Sequence, residues 1–251
     1  MADGYILYEG PSQLDGSPIV MIGTGFANAS ENRKTGWMVQ TWILHQDIKP
    51  TEAVKSGDDR SICGNCSFRG DGTGKDRACY VNVGQAPTGV WNAYRRDAYP
   101  RLSELRPLRR RALRLGAYGD PAAVPTGIVA ELARAADGHT GYTHQWRTCD
   151  QHLREFCMAS CDSERDYADA KDLGWRTFRV RSAGSDDRHG SEVVCPASAE
   201  AGLLLTCDEC LACCGTSSGR RGDIVISVHG SRAVTASYER TFKGIPIRRA
   251  A

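Results

Sequence analysis

The chain has 251 residues, 41% of them hydrophobic and 25% charged, with a formal net charge of +2 at pH 7. This is the make-up of a globular protein long enough to bury a core as one large domain or two small ones. It excludes a disordered chain, and the charge is too mild to argue for nucleic acid by itself.

Within residues 4–45, YILYEG, PIVMIGTGF and GWMVQTWIL are short apolar runs separated by Gly, Pro, Asp and Asn, a pattern that predicts strands. The polar NASENRKTG between the last two reads as a loop. Residues 46–88 are expected to form a loop region organised by the first cysteines. PTGVWNAYRRDAY (87–99) sets Val90, Trp91 and Tyr94 on a short helical face. ALRLGAYGD (112–120) predicts a strand ending in a Gly-Asp turn, and PTGIVAELARAA (125–136) a helix. GHTGYTHQW (138–146) predicts a second strand, and HLREFCMASCDSERDYADAKDLG (152–174) is mostly helical, stopped by Gly174. WRTFRVRS (175–182) is a third strand and DIVISVHG (223–230) a last one, followed by the short tail KGIPIRRAA.

Strand–helix–strand–helix–strand is the pattern of a parallel sheet. The expected fold is therefore α/β, a partial barrel or open, mostly parallel sheet. A β-rich segment (1–60) precedes the core with the first cysteines (61–190), and a cysteine-rich knot with the last strand (191–251) follows, all in one compact unit. No apolar run approaches a membrane span. The N-terminus lacks the basic start and apolar stretch of a signal peptide. The expected location is a reducing cytoplasm, where clustered cysteines bind metal more often than they form disulfides.

Eleven cysteines fall into three groups. Cys63, Cys66 and Cys79 surround a glycine-rich loop whose N–H groups could face cluster sulfides or a phosphate; GDGTGK is not a Walker A loop, because no Ser or Thr follows the Lys. Cys195, Cys207, Cys210 and Cys213 include a Cys-x2-Cys-x2-Cys run, which suits one [4Fe–4S] cluster or, alternatively, a closed zinc site. Spacing favours Cys213 over Cys214. Cys149, Cys157 and Cys161 form the third group. The last two share a helical face if 152–174 is helix, and one of the group could complete the first site or be an ordinary buried thiol.

Carboxyl ends of parallel strands form active faces. This makes Asp120 a candidate for substrate binding or acid–base work, or else a turn cap. Tyr142, His144, Gln145 and Arg147 end the next strand, and Arg179 and Arg181 share one side of the third as candidate anion contacts. His229 ends the last strand. Arg109, Arg110 and Arg111 could touch a phosphate backbone or lie on a solvated connector.

In order, ENRKTGWMVQTWIL, CGNC with ACYV, LRLGAYGDPAAVP, GYTHQW and CPAS with CDECLACCG resemble the phage "gene product 88" family of cysteine-rich phage and prophage proteins. The matching elements are Asn32, Lys34 and Gly36, the cysteines with Tyr80, Gly119 with Asp120, Tyr142 with Thr143, and Cys195 to Cys213. More distantly, the layout is similar to radical S-adenosylmethionine enzymes, with GAYGDP standing where those carry a Gly-Gly-Glu-Pro strand end. Their cysteine motif is Cys-x3-Cys-x2-Cys, whereas Cys63, Cys66 and Cys79 are spaced Cys-x2-Cys-x12-Cys.

The resemblance implies a cluster-binding protein with one or two [4Fe–4S] clusters and S-adenosylmethionine as a further cofactor. Asn32, Lys34 and Gly119 would bind cofactor, and Asp120, Tyr142 and His144 would face the substrate. The expected activity is a radical or redox modification of a nucleotide or nucleic acid. The alternatives are a zinc-stabilised, non-enzymatic nucleic-acid-binding protein of phage replication or regulation, and a zinc-stabilised barrel acting on bases with Asp120 as nucleophile.

Overall fold

The structure, a computed structural model, describes residues 2–28, 32, 34–217, 219 and 222–242. The chain opens with β1 (Gly4–Pro11), β2 (Pro18–Thr24) and β3 (Val39–His45), then α1 (Pro50–Ser56), α2 (Arg60–Cys63) and α3 (Ala86–Tyr94). There follow β4 (Ala112–Tyr118), α4 (Thr126–Ala135), β5 (Gly138–Thr140), β6 (Tyr142–Thr143), β7 (Met158–Cys161), α5 (Glu164–Asp172) and β8 (Thr177–Arg181). β9 (Glu192–Val194), α6 (Cys207–Cys210), β10 (Asp223–Ser227) and α7 (Arg232–Phe242) end the described chain.

The strands form two five-stranded sheets, ordered β1-β2-β3-β4-β5 and β6-β7-β8-β10-β9. β1, β2 and β3 pair antiparallel, and every pairing from β3 to β9 is parallel. One residue, Gly141, separates β5 from β6. Its N–H donates to Cys213 O at 2.9 Å and its carbonyl accepts from Met158 N at 2.9 Å. A Cβ at Gly141 would lie 2.7 Å from the Cys157 sulfur, so the seam has room for glycine alone. The α/β class with a mostly parallel sheet is as expected, and the β-rich N-terminal strands lie in the same sheet as β4 and β5.

The main core lies between the first sheet and its helices. Ile19, Met21, Ile43, Leu44, Leu113, Leu115 and Trp146 are fully buried there. β2 and β3 are buried on both faces, as their unbroken apolar runs require. α4 turns Val129, Leu132 and Ala133 inward.

Several elements differ from the sequence-based expectation. Residues 50–56 and 60–63 are helical within the expected loop region. The expected helix 152–174 contains β7, whose four residues Met158, Ala159, Ser160 and Cys161 are all buried. A doubly buried strand lacks the polar–apolar alternation that would mark it. A 3-10 turn covers Gln151–Glu155, and the α-helix is confined to Glu164–Asp172, where Ser163 caps Asp166 N at 3.1 Å. The expected strand 138–146 is split at Gly141, and α7 follows the last strand. The tail KGIPIRRAA lies outside the described residues.

Candidate functional site

The first cysteine group hangs from a buried carboxylate. Asp59, nearly inaccessible, pairs with Arg69 and with Arg77 at 3.5 Å. Arg69 also donates to Gly57 O and Gly64 O, each at 3.0 Å, so one guanidinium ties the ends of α2 together. Gln145 closes the other side: its amide donates to Cys63 O at 3.1 Å and its carbonyl accepts Asn65 N–H at 3.2 Å. Cys66, Phe68 and Cys79 pack under α7, where Phe68 meets Tyr238 and Phe242 edge-on at 6.0 and 5.3 Å. Burial raises the Cys63 thiol well above its ordinary pKa, and Cys66, Cys79 and Asp59 raise it further. Arg77 opposes the same burial effect at Cys79.

Cys63, Cys66 and Cys79 line a cavity of about 120 Å3 with Tyr80, Arg114, Gly119, Asp120, Tyr142, His144 and Asp162. Gly119 and Asp120 follow β4, His144 follows β6 and Asp162 follows β7, so these four stand at carboxyl ends of parallel strands, while the cysteines and Tyr80 come from the 63–80 segment. The His144 ring meets Phe68 edge-on at 5.3 Å, and its Nε2 lies 3.4 Å from Asp162 Oδ2 without hydrogen-bond geometry. Burial would lower this imidazole, but the negative charge of Cys66 and Asp162 outweighs it and raises the pKa well above the ordinary value.

Asp120 is held by its own turn. Its oxygens accept N–H from Ala122 at 3.0 Å and from His144 at 2.8 Å, which is the capping role. Gly119, at φ +82°, brings its backbone so near β3 that a Cβ would stand 2.6 Å from Ile43 Cβ.

The second group is fastened to the sheet by backbone bonds. Cys195 N donates to Val225 O at 2.8 Å, Cys207 N to Lys34 O at 2.8 Å, and Gly141 N to Cys213 O. Buried Arg176, at the foot of β8, donates to Ala212 O, Gly215 O and Gly222 O. The Asp208 carboxylate accepts Trp37 N–H at 2.8 Å, tying the 34–37 loop to α6. All four cysteines line a cavity of about 480 Å3; Cys214 does not. Lys34 and Arg114 oppose the effect of burial on the Cys207 thiol. The Tyr142 hydroxyl does the same for Cys213.

Gln40 and Trp42 of β3, Arg114 of β4, Thr140 of β5, Tyr142 of β6, Phe178 of β8 and Ile226 of β10 line the larger cavity, so the sheets curve around it. Tyr80, Val81, Arg114, Ala117, Tyr142 and Phe178 line both cavities. The seven cysteines chosen by spacing thus face two adjoining spaces with a common wall. Asn32, Lys34, Tyr142 and His229 face the larger one; Gly119, Asp120, Tyr142 and His144 face the smaller. Among the described residues, no three His, Cys, Asp or Glu side chains are grouped so as to hold a metal ion as they stand.

Other expected contacts are made elsewhere. Arg179 pairs with Glu192 at 2.6 Å and Asp187 at 3.0 Å, and Arg181 pairs with Glu200, so neither is an available anion contact. Arg147 lies over Trp146 and pairs with Asp166 and Asp169. The glycine loop satisfies itself: Asp71 accepts from Thr73 N and Lys75 N, and Gly70, Gly72 and Gly74 line neither cavity.

Cys157 precedes β7 and Cys161 is its last residue, so they do not share a helix face, and Cys149 borders a separate polar cleft. None of the three lines the first group's cavity. Burial lifts the Cys149 thiol to about 12, as expected of an inert thiol. Arg114 and Trp42 are wall residues that sequence reasoning missed. The available signal was a lone arginine between the buried Leu113 and Leu115, pointing to a polar space on the opposite face.

No protein-family model matches this chain, and no curated protein matches it. No helix among the described residues is long and apolar enough to cross a membrane.

Proposed function

We propose that this chain is an iron–sulfur protein of the phage type its motifs resemble, with two cluster sites bordering one substrate space. Its activity is a redox or radical modification of a nucleotide or nucleic acid. The observation that carries this reading is the common wall: seven cysteines from distant parts of the chain face two adjoining cavities. The donor set fits in kind, since sets of three and four thiols suit iron–sulfur ligation.

Cys195, Cys207, Cys210 and Cys213 would hold one cluster and Cys63, Cys66 and Cys79 the other. A bound cluster supplies single electrons to a molecule in the cavity. The chain's own residues do the rest. Phe68, Tyr238 and Phe242 exclude water from the first group, while Gln145 and Arg69 fix its loop. Tyr142 separates the two spaces and can hold a proton at its hydroxyl beside Cys213. His144 can hold a proton at Nε2 between Cys66 and Asp162.

Two observations favour zinc and nucleic-acid binding as the second reading. His144 lines one cavity with Cys63, Cys66 and Cys79, and three thiols with an imidazole are a zinc-type donor set. A surface cleft holds Trp37, 53% exposed, over Arg111 and beside Arg106 and Arg109, a combination that suits single-stranded nucleic acid.

Anaerobic purification with iron, sulfide and zinc analysis and a visible spectrum decides between them. About four or eight irons per chain with matching sulfide is the expected result. A colourless protein with one or two zincs would overturn the first reading. C207S/C210S and C63S/C66S should each remove one site's metal and leave the other's.

A further inference from the structure

The larger cavity carries two cations that no carboxylate among the described residues pairs with. Lys34 and Arg114 face it, and among the described residues no Asp or Glu does. Among the described residues neither cation makes an ion pair with a carboxylate. Both are held in place. Arg114 is a half-buried residue in the middle of β4, between Leu113 and Leu115.

Lys34 Nζ lies 3.1 Å from His229 Nε2. The His229 Nδ1 lies 3.1 Å from Ser227 O, a carbonyl that can only accept. The proton is therefore on Nδ1, and Nε2 accepts from the Lys34 ammonium. His229 acts as a neutral bracket that orients a cation. Burial and the Lys34 charge also keep its pKa below the ordinary histidine value.

The remaining walls suit a ring. Tyr80 lies over His229, with centroids 5.2 Å apart, and Tyr142 packs on Phe178 at 4.4 Å. Gln40 and Asn82 add amides that can meet ring edges. A volume of about 480 Å3 is in the range of small-molecule sites.

We infer that this cavity binds a nucleotide, with its phosphate on Lys34 and Arg114 and its base among the aromatic walls. This deepens the substrate class of the proposed function and rests on that reading for the chemistry, but not for the binding itself. The competing role for the two cations is to balance the thiolates, because both act on Cys207. A second competing ligand is the carboxylate of S-adenosylmethionine.

The test is isothermal titration of the anaerobically purified full chain with the four nucleoside 5′-monophosphates, their nucleosides, inorganic phosphate and S-adenosylmethionine. Iron, sulfide and zinc are measured on the same samples. At least one monophosphate should bind ten times or more tightly than its nucleoside. R114Q and K34Q should each lose at least tenfold for that monophosphate with metal content unchanged, and R114K should recover part of the loss.

Equal binding of monophosphate and nucleoside, or no binding of either, would overturn the inference. So would loss of metal in step with affinity, or an effect of R114Q confined to S-adenosylmethionine. A zinc-containing protein that still binds the monophosphate through Lys34 and Arg114 would sink the redox reading and leave this one standing.

Discussion

Replacing Arg176 with methionine should loosen the C-terminal cysteine segment from the sheet. Arg176 is 5% exposed, and its guanidinium bridges three carbonyls, those of Ala212, Gly215 and Gly222. Methionine fills much of the same space but donates nothing. A buried carbonyl left without a donor costs about 1 to 3 kcal/mol. Of the three residues Gly215 is buried, while Ala212 and Gly222 are half-buried and can regain water. Removing a buried charge also returns its desolvation cost.

The lower end of the range therefore applies, about 3 kcal/mol in total. For a chain of this size that is a fall in Tm of roughly 6 to 12 °C. Thermal unfolding of wild type, R176M and R176K measures it. Thiol titration of the folded proteins should show Cys213 and Cys214 reacting faster in R176M. R176K, which keeps the charge but cannot reach three acceptors at once, should fall between. A loss below about 1 kcal/mol in R176M, with thiol rates unchanged, would refute the claim that this residue anchors the segment.

D223N should weaken the protein at neutral pH and flatten its acid limb. Burial raises the Asp223 carboxyl, but hydrogen bonds from Ser191 and Thr177 N and the Lys171 charge outweigh it, leaving the pKa below the ordinary value. Its contribution is therefore full above the unfolded value of about 3.9 and is lost as pH falls through the lower folded value. Urea midpoints between pH 7 and pH 3 should converge for the two proteins, and parallel curves would contradict this.

G119A should cost at least about 2 kcal/mol, from the left-handed φ and the approach to Ile43, read as a lower urea midpoint. A G127A control, where nothing stands within 4 Å, should stay near wild type. Q145L should free the Cys63 loop and, on the iron–sulfur reading, remove about half the bound iron while leaving the second group loaded. Retention of full iron would show that Arg69 and Asp59 hold the loop unaided.

The strands that build the first sheet were legible because runs such as PIVMIGT are too short and too apolar for anything else. β7 was not, because Met158, Ala159, Ser160 and Cys161 are small or flexible, all buried, and set between helix-forming stretches. α7 was hidden by a different cause: its inward face is made by Tyr238 and Phe242, whose partner Phe68 is far away in the chain.

The cysteines were legible as ligand-like groups because ligand spacing is a local property. Which cysteine enters the cavity was legible only by spacing at Cys213, and the buried neighbour Cys214 stands outside. Arg179 and Arg181 misled because a sequence displays charge without its partner. Glu192, Asp187 and Glu200 lie on segments that only the fold returns to β8. Lys34 and Arg114 converge for the same reason in reverse, since the 34–37 loop and β4 bring them to one space and no acid among the described residues lines it.

The Gly141 seam sets an order of assembly. Its N–H lies in the interior of the sheet and is satisfied by Cys213 O, a group synthesised long after both strands it joins. While the chain is still being made, that donor has no partner, and the junction between the two sheets stays open to water. The first cysteine group emerges early, with Arg69 and Asp59 close by in the chain, but Phe68 beside it waits for Tyr238 and Phe242 of α7. The second takes shape only as the late segment docks. Closing the sheet and forming the second thiol group are thus one event, and a chain that stops before Cys213 loses both together.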